Sequence, residues 1–79
     1  MKLTYDPVHN VAYLCFLDKP THVRTVVVSD DVNVDIASDG TVYGIELLNA
    51  SEQLQADGLG ALIVVNEASG ESATVRLPV

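Results

Sequence analysis

Three oxygen-bearing side chains alternate along one segment with the spacing that opens a calcium-binding loop. Asp31, Asn33 and Asp35 read Asp-x-Asn-x-Asp, and calcium binds such hard oxygen ligands when the chain wraps around the ion. The wrapping requires a sharp turn at the sixth position and a bidentate acid at the twelfth. Ile36 and Val42 occupy those two positions. We therefore predict a solvated strand face here and no calcium or other metal site.

The histidines and the single cysteine lack the partners that metal binding or acid–base catalysis requires. His9 and His22 fall in predicted loops, and neither has a second His or Cys at ligand spacing. Cys15 lies inside an apolar run with no basic residue near it in sequence. We expect its thiol pKa to be raised and its side chain to be an inert small hydrophobe. The sequence thus predicts no metal, no cofactor and no catalytic thiol.

The serines and carboxylates also lack the spacing of a known catalytic arrangement. Gly-x-Ser-x-Gly, the spacing of a nucleophile elbow, is absent. Gly58-x-Gly60 is a helix stop, because a dinucleotide-binding glycine loop needs a strand before it and a long helix after it. Asp35 and Glu46 could face each other across a hairpin, and one carboxyl of such a pair would titrate high. No nucleophile, base and orienting group can be assembled, so we expect a protein that is not an enzyme.

Composition narrows the classes of partner. Eleven acids against four bases give a net charge of −7, and a basic stripe that could neutralise a phosphate backbone is missing. We expect no nucleic-acid partner and no attraction to anionic membranes. The 79 residues are 48% hydrophobic, but no apolar run approaches the roughly 18 residues of a membrane span. The first residues do not resemble a signal peptide, so the expected location is the cytoplasm.

Alternating and β-branched runs predict a small antiparallel α+β fold. Strands are expected over 3–5, 11–17, 23–28, 32–36, 42–48, 61–66 and 73–77, and a helix over about 50–56. Asp39-Gly40 marks a hairpin turn, and Gly44 leaves a gap in the return strand that a bulky neighbour can enter. Asn49 looks like the helix N-cap, with Glu52 in the capping-box position, and Ser51 is an alternative cap. We predict a β-meander of about four strands, one short helix and a C-terminal β-hairpin in a single domain, 1–79.

These motifs resemble a bacterial and archaeal family of small proteins known as domain of unknown function 2283. The family pattern appears here as Tyr5-Asp6-Pro7, Tyr13, Asp31-Val32-Asn33-Val34-Asp35, Asp39-Gly40, Gly44-Ile45-Glu46 and Ala50-Ser51. The resemblance covers about two thirds of the chain, to around Gln55, and leaves 58–79 as a C-terminal extension. Val8 stands where members usually place an acid.

The resemblance implies a β-meander with one helix and supplies no activity. Similar small proteins are sometimes encoded beside toxin-like partners, which implies an antitoxin-like role as one form of protein interaction. Our leading interpretation is a non-enzymatic protein-interaction or oligomerisation module. The alternative is a small-ligand or metal-binding protein that uses the region from Asp30 to Asp39. A flat apolar patch would favour the first and a concave one the second.

Self-association through the sheet is a further expectation. The run over 11–17 is apolar at every position, and Val42 and Leu48 lie on the face of their strand opposite Ile45 and Leu47. One short helix can cover only one face of the sheet. Because leaving such side chains wet forfeits roughly 1.5–3 kcal/mol for each one otherwise buried, we predict a homodimer or larger oligomer.

Overall fold

Two β-sheets and one short helix form the protein in a computed structural model, which describes residues 1–18 and 22–79. The strands are β1 Lys2–Asp6, β2 Val11–Cys15, β3 Arg24–Ser29, β4 Val32–Ile36, β5 Val42–Leu48, β6 Ala61–Val65 and β7 Ser72–Arg76. The helix, α1, spans Ala50–Leu54. The predicted α+β class, with one short helix and a C-terminal hairpin, is confirmed. The connection predicted between the second and third strands lies partly outside the described residues.

The larger sheet has five antiparallel strands in the order β1-β2-β5-β4-β3. It contains one strand more than the predicted four. Strands β3, β4 and β5 form a three-stranded meander. The β1–β2 hairpin pairs with its β5 edge through β2. The pairing of β2 with β5 places Ala12 opposite Leu47 and Leu14 opposite Ile45. This long-range pairing is invisible to residue alternation, which reports the period of a strand but not its neighbour.

The register of the sheet separates an apolar face from a polar one. Leu3, Leu14, Ile45, Val34 and Val26 form one row across all five strands. Directly paired residues share a face, so this row defines the apolar side. The residues between these positions belong to the opposite, polar face, which the candidate site occupies.

Strand β2 ends two residues earlier than predicted. The backbone N–H groups of Phe16 and Leu17 both donate to the carbonyl of Tyr43, at 2.9 and 3.2 Å. Sharing one acceptor interrupts the ladder after Cys15. Phe16 and Leu17 are 40% and 50% exposed. The prediction of one strand over 11–17 with both faces covered is therefore wrong at its C-terminal end.

Helix α1 is shorter than predicted, and its N-terminus is capped from a distant turn. Asn49 occupies the N-cap position with φ 53°, but its side chain caps no backbone N–H group. Its amide donates instead to the Glu52 carboxylate at 2.8 Å. Asn10, in the β1–β2 turn, accepts from the N–H of Ser51 through Oδ1 at 2.8 Å, and from that of Ala50 through its carbonyl at 3.0 Å. The predicted capping box is thus wrong about which asparagine caps the helix.

The Asp39-Gly40 turn forms as predicted. The N–H of Ala37 donates to the Thr41 carbonyl at 2.9 Å, and the N–H of Gly40 donates to the Ala37 carbonyl at 3.0 Å. Gly40 has φ 90°, a backbone region that only glycine enters without strain. The Asp39 carboxylate accepts the N–H of Thr41 at 2.9 Å. Local turn chemistry therefore fixes where the β4–β5 hairpin reverses.

The hydrophobic core is thin. Ala12 and Ala50 are the two buried apolar residues among those described, and no large side chain there is fully buried. Helix α1 contacts β2, which brings these two alanines under cover. In the described part of the chain, no helix has the length and hydropathy that crossing a membrane requires.

Candidate functional site

A hydrogen-bonded cluster on the polar face of the larger sheet centres on Asp35. Tyr13 donates its hydroxyl to Asp35 Oδ2 at 2.8 Å, and Thr25 donates its hydroxyl to Asp35 Oδ1 at 2.7 Å. Both carboxylate oxygens are therefore engaged. Asp35 is only 7% exposed, although its strand was predicted to have a wet face. That prediction is wrong at Asp35, because the Tyr13 and Thr25 side chains close over the carboxylate.

Gly44 makes this cluster geometrically possible. Asp35 lies opposite Gly44 on β5, while Tyr13 lies opposite Glu46 on the same strand. The Tyr13 ring therefore crosses β5 diagonally to reach Asp35, directly above Gly44. A Cβ atom at position 44 would overlap the Tyr13 hydroxyl oxygen and the ring carbon that carries it. The predicted gap at Gly44 is thus filled by the side chain of Tyr13.

Glu46 takes part in a separate interaction one row along the same face. The register pairs Asn33 with Glu46, and the Asn33 amide donates to Glu46 Oε1 at 2.9 Å. Glu46 is therefore not directly opposite Asp35, and the predicted acid pair is not formed as a cross-strand pair. Asp35 would face Glu46 only in a register two residues away from the observed one, and the sequence leaves that register open.

The two histidines, for which the sequence predicted no site, lie apart from this cluster. His9 Nδ1 lies 2.7 Å from Asp6 Oδ2 in the exposed β1–β2 turn. The hydrogen bond with the His9 side chain, followed by the one from the Val8 N–H, holds the pKa of Asp6 below its usual value. His22 lines a surface pocket of about 620 Å³ with Arg24, Ala37 and Ser38. Neither Asn33 nor Asp35 lines that pocket.

Cys15 is half-buried rather than buried in a covered strand. Its thiol donates to the Leu17 carbonyl at 3.2 Å. On the sheet it lies opposite Gly44, one row from Tyr13. The structure therefore places it beside the Asp35 cluster, but its thiol hydrogen bond is to the backbone.

The Asp35 cluster is built to hold strands together. Its donors are two neutral hydroxyls from strands on either side of β4 and β5, and its acceptor is a single carboxylate. Within 1–18 and 22–79, no group of three or more His, Cys, Asp or Glu side chains could hold a metal ion. Asn33 and Asp35 each hydrogen-bond inside the sheet instead of converging on one point. The absence of calcium and zinc binding stays a prediction.

Comparison with known sequences relates this geometry to a family. Residues 2–51 match the sequence profile of a family described as Protein of unknown function (DUF2283). The chain belongs to this family. In this DUF2283 member the matched segment holds the five-stranded sheet, with Tyr13, Asp35 and Gly44, and ends just inside α1. The β6–β7 hairpin lies outside it. Searches of curated proteins and of solved structures each gave no match.

The sequence contains signals for the members of the Asp35 cluster but not for the strand pairing that brings them together. Gly44 was recognised as a gap, and Tyr13 as an aromatic residue of the second strand. A tyrosine able to cover a strand glycine needs a partner for its hydroxyl when it is half-buried. The missing information was the β2–β5 pairing, which alone brings Tyr13 to the position beside Gly44.

Proposed function

We propose that this DUF2283 member is a non-enzymatic protein-interaction module that self-associates, at least as a homodimer. The observation that carries the proposal is the thin core: among the described residues, Ala12 and Ala50 are the buried apolar residues. A domain of this size needs most of its apolar side chains out of water to reach a few kcal/mol of net stability. In a single copy, most apolar side chains of the described residues stay half-buried or exposed.

The surface area of the chain supports this proposal quantitatively. Its accessible surface is 5722 Å², whereas a compact monomer of 8.4 kDa is expected to expose about 4,600 Å². The excess of about 1,100 Å² exceeds the roughly 800 Å² that each partner contributes to a standard interface. The radius of gyration of 14.1 Å likewise exceeds the about 11.6 Å expected for 79 residues.

The chemistry of the exposed surface suits a protein partner. Large apolar side chains stand in water at several places, among them Val27, Val28, Leu59, Leu62, Ile63, Val64, Val65 and Val75. Those of the β6–β7 hairpin are neighbours, because Leu62 to Val65 follow one another and Val75 is paired with Leu62, and contiguous exposed apolar surface is a mark of protein contact sites. The net charge of −7 disfavours a phosphate backbone as the partner, so apolar association with protein is the better match.

A non-enzymatic role is supported by where the reactive groups lie. Asp35 accepts hydroxyl hydrogen bonds at both oxygens, the Cys15 thiol bonds the backbone, and His9 pairs with Asp6 in an exposed turn. None of these contacts links a nucleophile to a base. The alternative, a small ligand in the region from Asp30 to Asp39, has one observation in its favour, because Ala37 and Ser38 line the surface pocket beside His22. It gains less support than protein association, because Asn33 and Asp35 use their side chains within the sheet.

Sedimentation equilibrium at micromolar concentration tests the proposal. We expect at least twice the monomer mass of 8.4 kDa. Because each copy carries a charge of −7, added salt should screen the repulsion and strengthen the association. A mass of 8.4 kDa at every concentration and salt condition would refute self-association. A stoichiometric protein retained from the native host would instead indicate a heterologous partner, such as the one an antitoxin-like role requires.

A further inference from the structure

Strand β6 is apolar on both faces and exposed on both. Leu62 and Val64 lie on one face at 46% and 54% exposure, and Ile63 and Val65 lie on the other at 50% and 54%. A strand that is apolar on both sides is typical of a sheet interior. In the single chain, however, β6 belongs to a two-stranded sheet, and an isolated two-stranded hairpin is at best marginally stable in water.

The outer edge of β6 presents backbone groups that no other strand of the described residues pairs with. The N–H of Asn66 donates to the Glu71 carbonyl and that of Leu77 to the Gly60 carbonyl. Backbone bonds in an antiparallel ladder alternate along a strand. Leu62 and Val64, which are two residues apart from Gly60 and Asn66, therefore also exchange backbone hydrogen bonds with β7. The N–H and C=O groups of the alternate residues 61, 63 and 65 point to the open edge.

The other strand edges in the described part of the chain carry features that discourage pairing. Strand β1 has Lys2 and Asp6, and Pro7 follows it. Strand β3 begins at Arg24, and its register shifts at a bulge between Val27 and Ser29. Strand β7 ends at Arg76, with Pro78 just beyond. Charges, bulges and prolines are the devices that protect edge strands, and the sequence of β6, Ala-Leu-Ile-Val-Val, has none of them.

We propose that β6 pairs antiparallel with β6 of a second copy, giving a continuous four-stranded sheet in the order β7-β6-β6-β7. This inference rests on the proposed self-association and specifies its surface. The contact is two-fold symmetric, the commonest arrangement for homodimers. One register lets the backbone groups of 61, 63 and 65 all form hydrogen bonds with the other copy. In that register Ala61 lies opposite Val65 of the other copy, and Ile63 lies opposite Ile63 of the other copy. β6 thereby becomes a central strand, which its composition suits.

The charges of the hairpin are complementary in this arrangement. Glu67 and Glu71 lie at the tip of the hairpin, and Arg76 lies at its base, opposite Ala61. Antiparallel pairing sets the tip of each hairpin at the same end as the base of the other. The acidic tips of the two copies are then kept far apart, and each approaches the end that carries an arginine. This reduces the repulsion that a net charge of −7 per chain would otherwise cause.

Two proline variants at directly paired positions test the proposal. Ile63→Pro removes an N–H that points to the open edge of β6, and Thr74→Pro does the same on the outer edge of β7, because Ile63 and Thr74 are partners in the ladder. Neither removes a β6–β7 hydrogen bond. We expect Ile63→Pro to raise the dimer dissociation constant at least about tenfold, and Thr74→Pro to leave it unchanged. Equal dissociation constants for both variants and the wild type would overturn the proposal.

Disulfide capture provides a second measurement that does not depend on proline being tolerated. In a Cys15→Ser background, Ile63→Cys places two thiols on opposite residues about 5.5 Å apart at Cα, within the range that a disulfide spans. Under mild oxidation we expect a covalent dimer with Ile63→Cys and little with the control Thr74→Cys. If the wild type is dimeric but Ile63→Cys is not captured, β6 pairing is wrong and self-association stands. If the wild type is monomeric, both proposals fail.

Discussion

The hydroxyl of Tyr13 donates a 2.8 Å hydrogen bond to the carboxylate of Asp35 across a strand that separates them. Tyr13 lies on β2 and Asp35 on β4, and β5 runs between the two. The bond therefore connects the β1–β2 hairpin to the β3–β4–β5 meander by side chains, in addition to the β2–β5 ladder. It is a structural tie at the centre of the polar face, and it can be tested by substitution.

Tyr13→Phe should destabilise the protein without changing its fold. The substitution keeps the ring over Gly44 but removes a hydroxyl donor from Asp35, which is 7% exposed. Weakening a buried polar interaction in this way costs about 1–3 kcal/mol. Urea denaturation measures the loss. The control is Tyr43→Phe, because the Tyr43 hydroxyl makes no hydrogen bond within the described residues, and its effect should stay within about 0.5 kcal/mol. Equal effects of the two substitutions would contradict a role for the Tyr13–Asp35 bond.

Gly44→Ala should be harmful only while Tyr13 is present. The new methyl group would overlap the Tyr13 ring, so we expect a cost of about 1–3 kcal/mol from overpacking. In a Tyr13→Ala background the overlap disappears. Alanine should then be neutral or stabilising by roughly 0.5–1 kcal/mol, since glycine weakens a strand interior. A double-mutant cycle compares the change in the free energy of unfolding on Gly44→Ala in the two backgrounds. Equal changes would show that overlap with Tyr13 does not cause the destabilisation.

Asn10 should contribute more to stability than Asn49. Both have positive φ, 55° and 53°, so glycine fits either backbone position. Asn10→Gly removes the Oδ1 acceptor of the part-buried Ser51 N–H and should cost about 1 kcal/mol, as loss of a hydrogen bond does. Asn49→Gly removes two exposed side-chain contacts, the one to Glu52 and a long one from the Asn10 amide at 3.4 Å, and should be close to neutral. Thermal unfolding that shows Asn49→Gly as the more damaging change would restore the capping box predicted from sequence.

Acid should remove a stabilising contribution that depends on His9. The pKa of Asp6 is lowered in the folded protein, first by the hydrogen bond with the His9 side chain. A lowered carboxyl pKa stabilises the fold above the unfolded value, near 3.8, and this contribution disappears as pH falls through the lower folded-state pKa. His9→Ala should raise the Asp6 pKa toward its usual value, which a carbon-13 NMR titration measures.

Asp39 provides the internal control for that titration. Its pKa is lowered first by the backbone N–H of Thr41, which His9→Ala leaves in place. The pKa of Asp39 should therefore not change in the variant. An Asp6 pKa that is also unchanged would show that the turn backbone, and not His9, holds the carboxylate ionised.

Local features of this fold were predictable, and long-range ones were not. The Asp39-Gly40 turn and the alternation of β4 depend on residues close in sequence, and both form as expected. The Asn10 cap depends on a contact between residues 41 positions apart, which no local pattern reports. Sequence reasoning assigned that cap to Asn49, the nearest asparagine. The Asp35–Glu46 pair considered from sequence is not formed for a different reason: the β4–β5 hairpin has a bulge between Asp35 and Ile36, and its register pairs Asp35 with Gly44.

The candidate site was predicted in its parts but not as a whole. Gly44, Tyr13 and Asp35 were each recognised, yet Asp35 was assigned to a wet face. Alternation predicts which residues share a face but not whether a side chain from another strand covers them. The pairing of β2 with β5 decides whether Asp35 is covered. These strands are far apart in sequence, so the sequence does not determine that they are neighbours. Burial of Asp35 therefore required the three-dimensional register.

Hydrogen exchange of backbone amides, measured by NMR at low and high protein concentration, tests self-association through β6 most directly. The amides of Ala61, Ile63 and Val65 point away from β7, so we expect them to exchange rapidly in dilute protein and slowly when the dimer is populated. The Thr74 amide, on the outer edge of β7, should exchange rapidly at both concentrations. Rapid exchange of Ala61, Ile63 and Val65 at both concentrations, at rates like that of Thr74, would contradict the account.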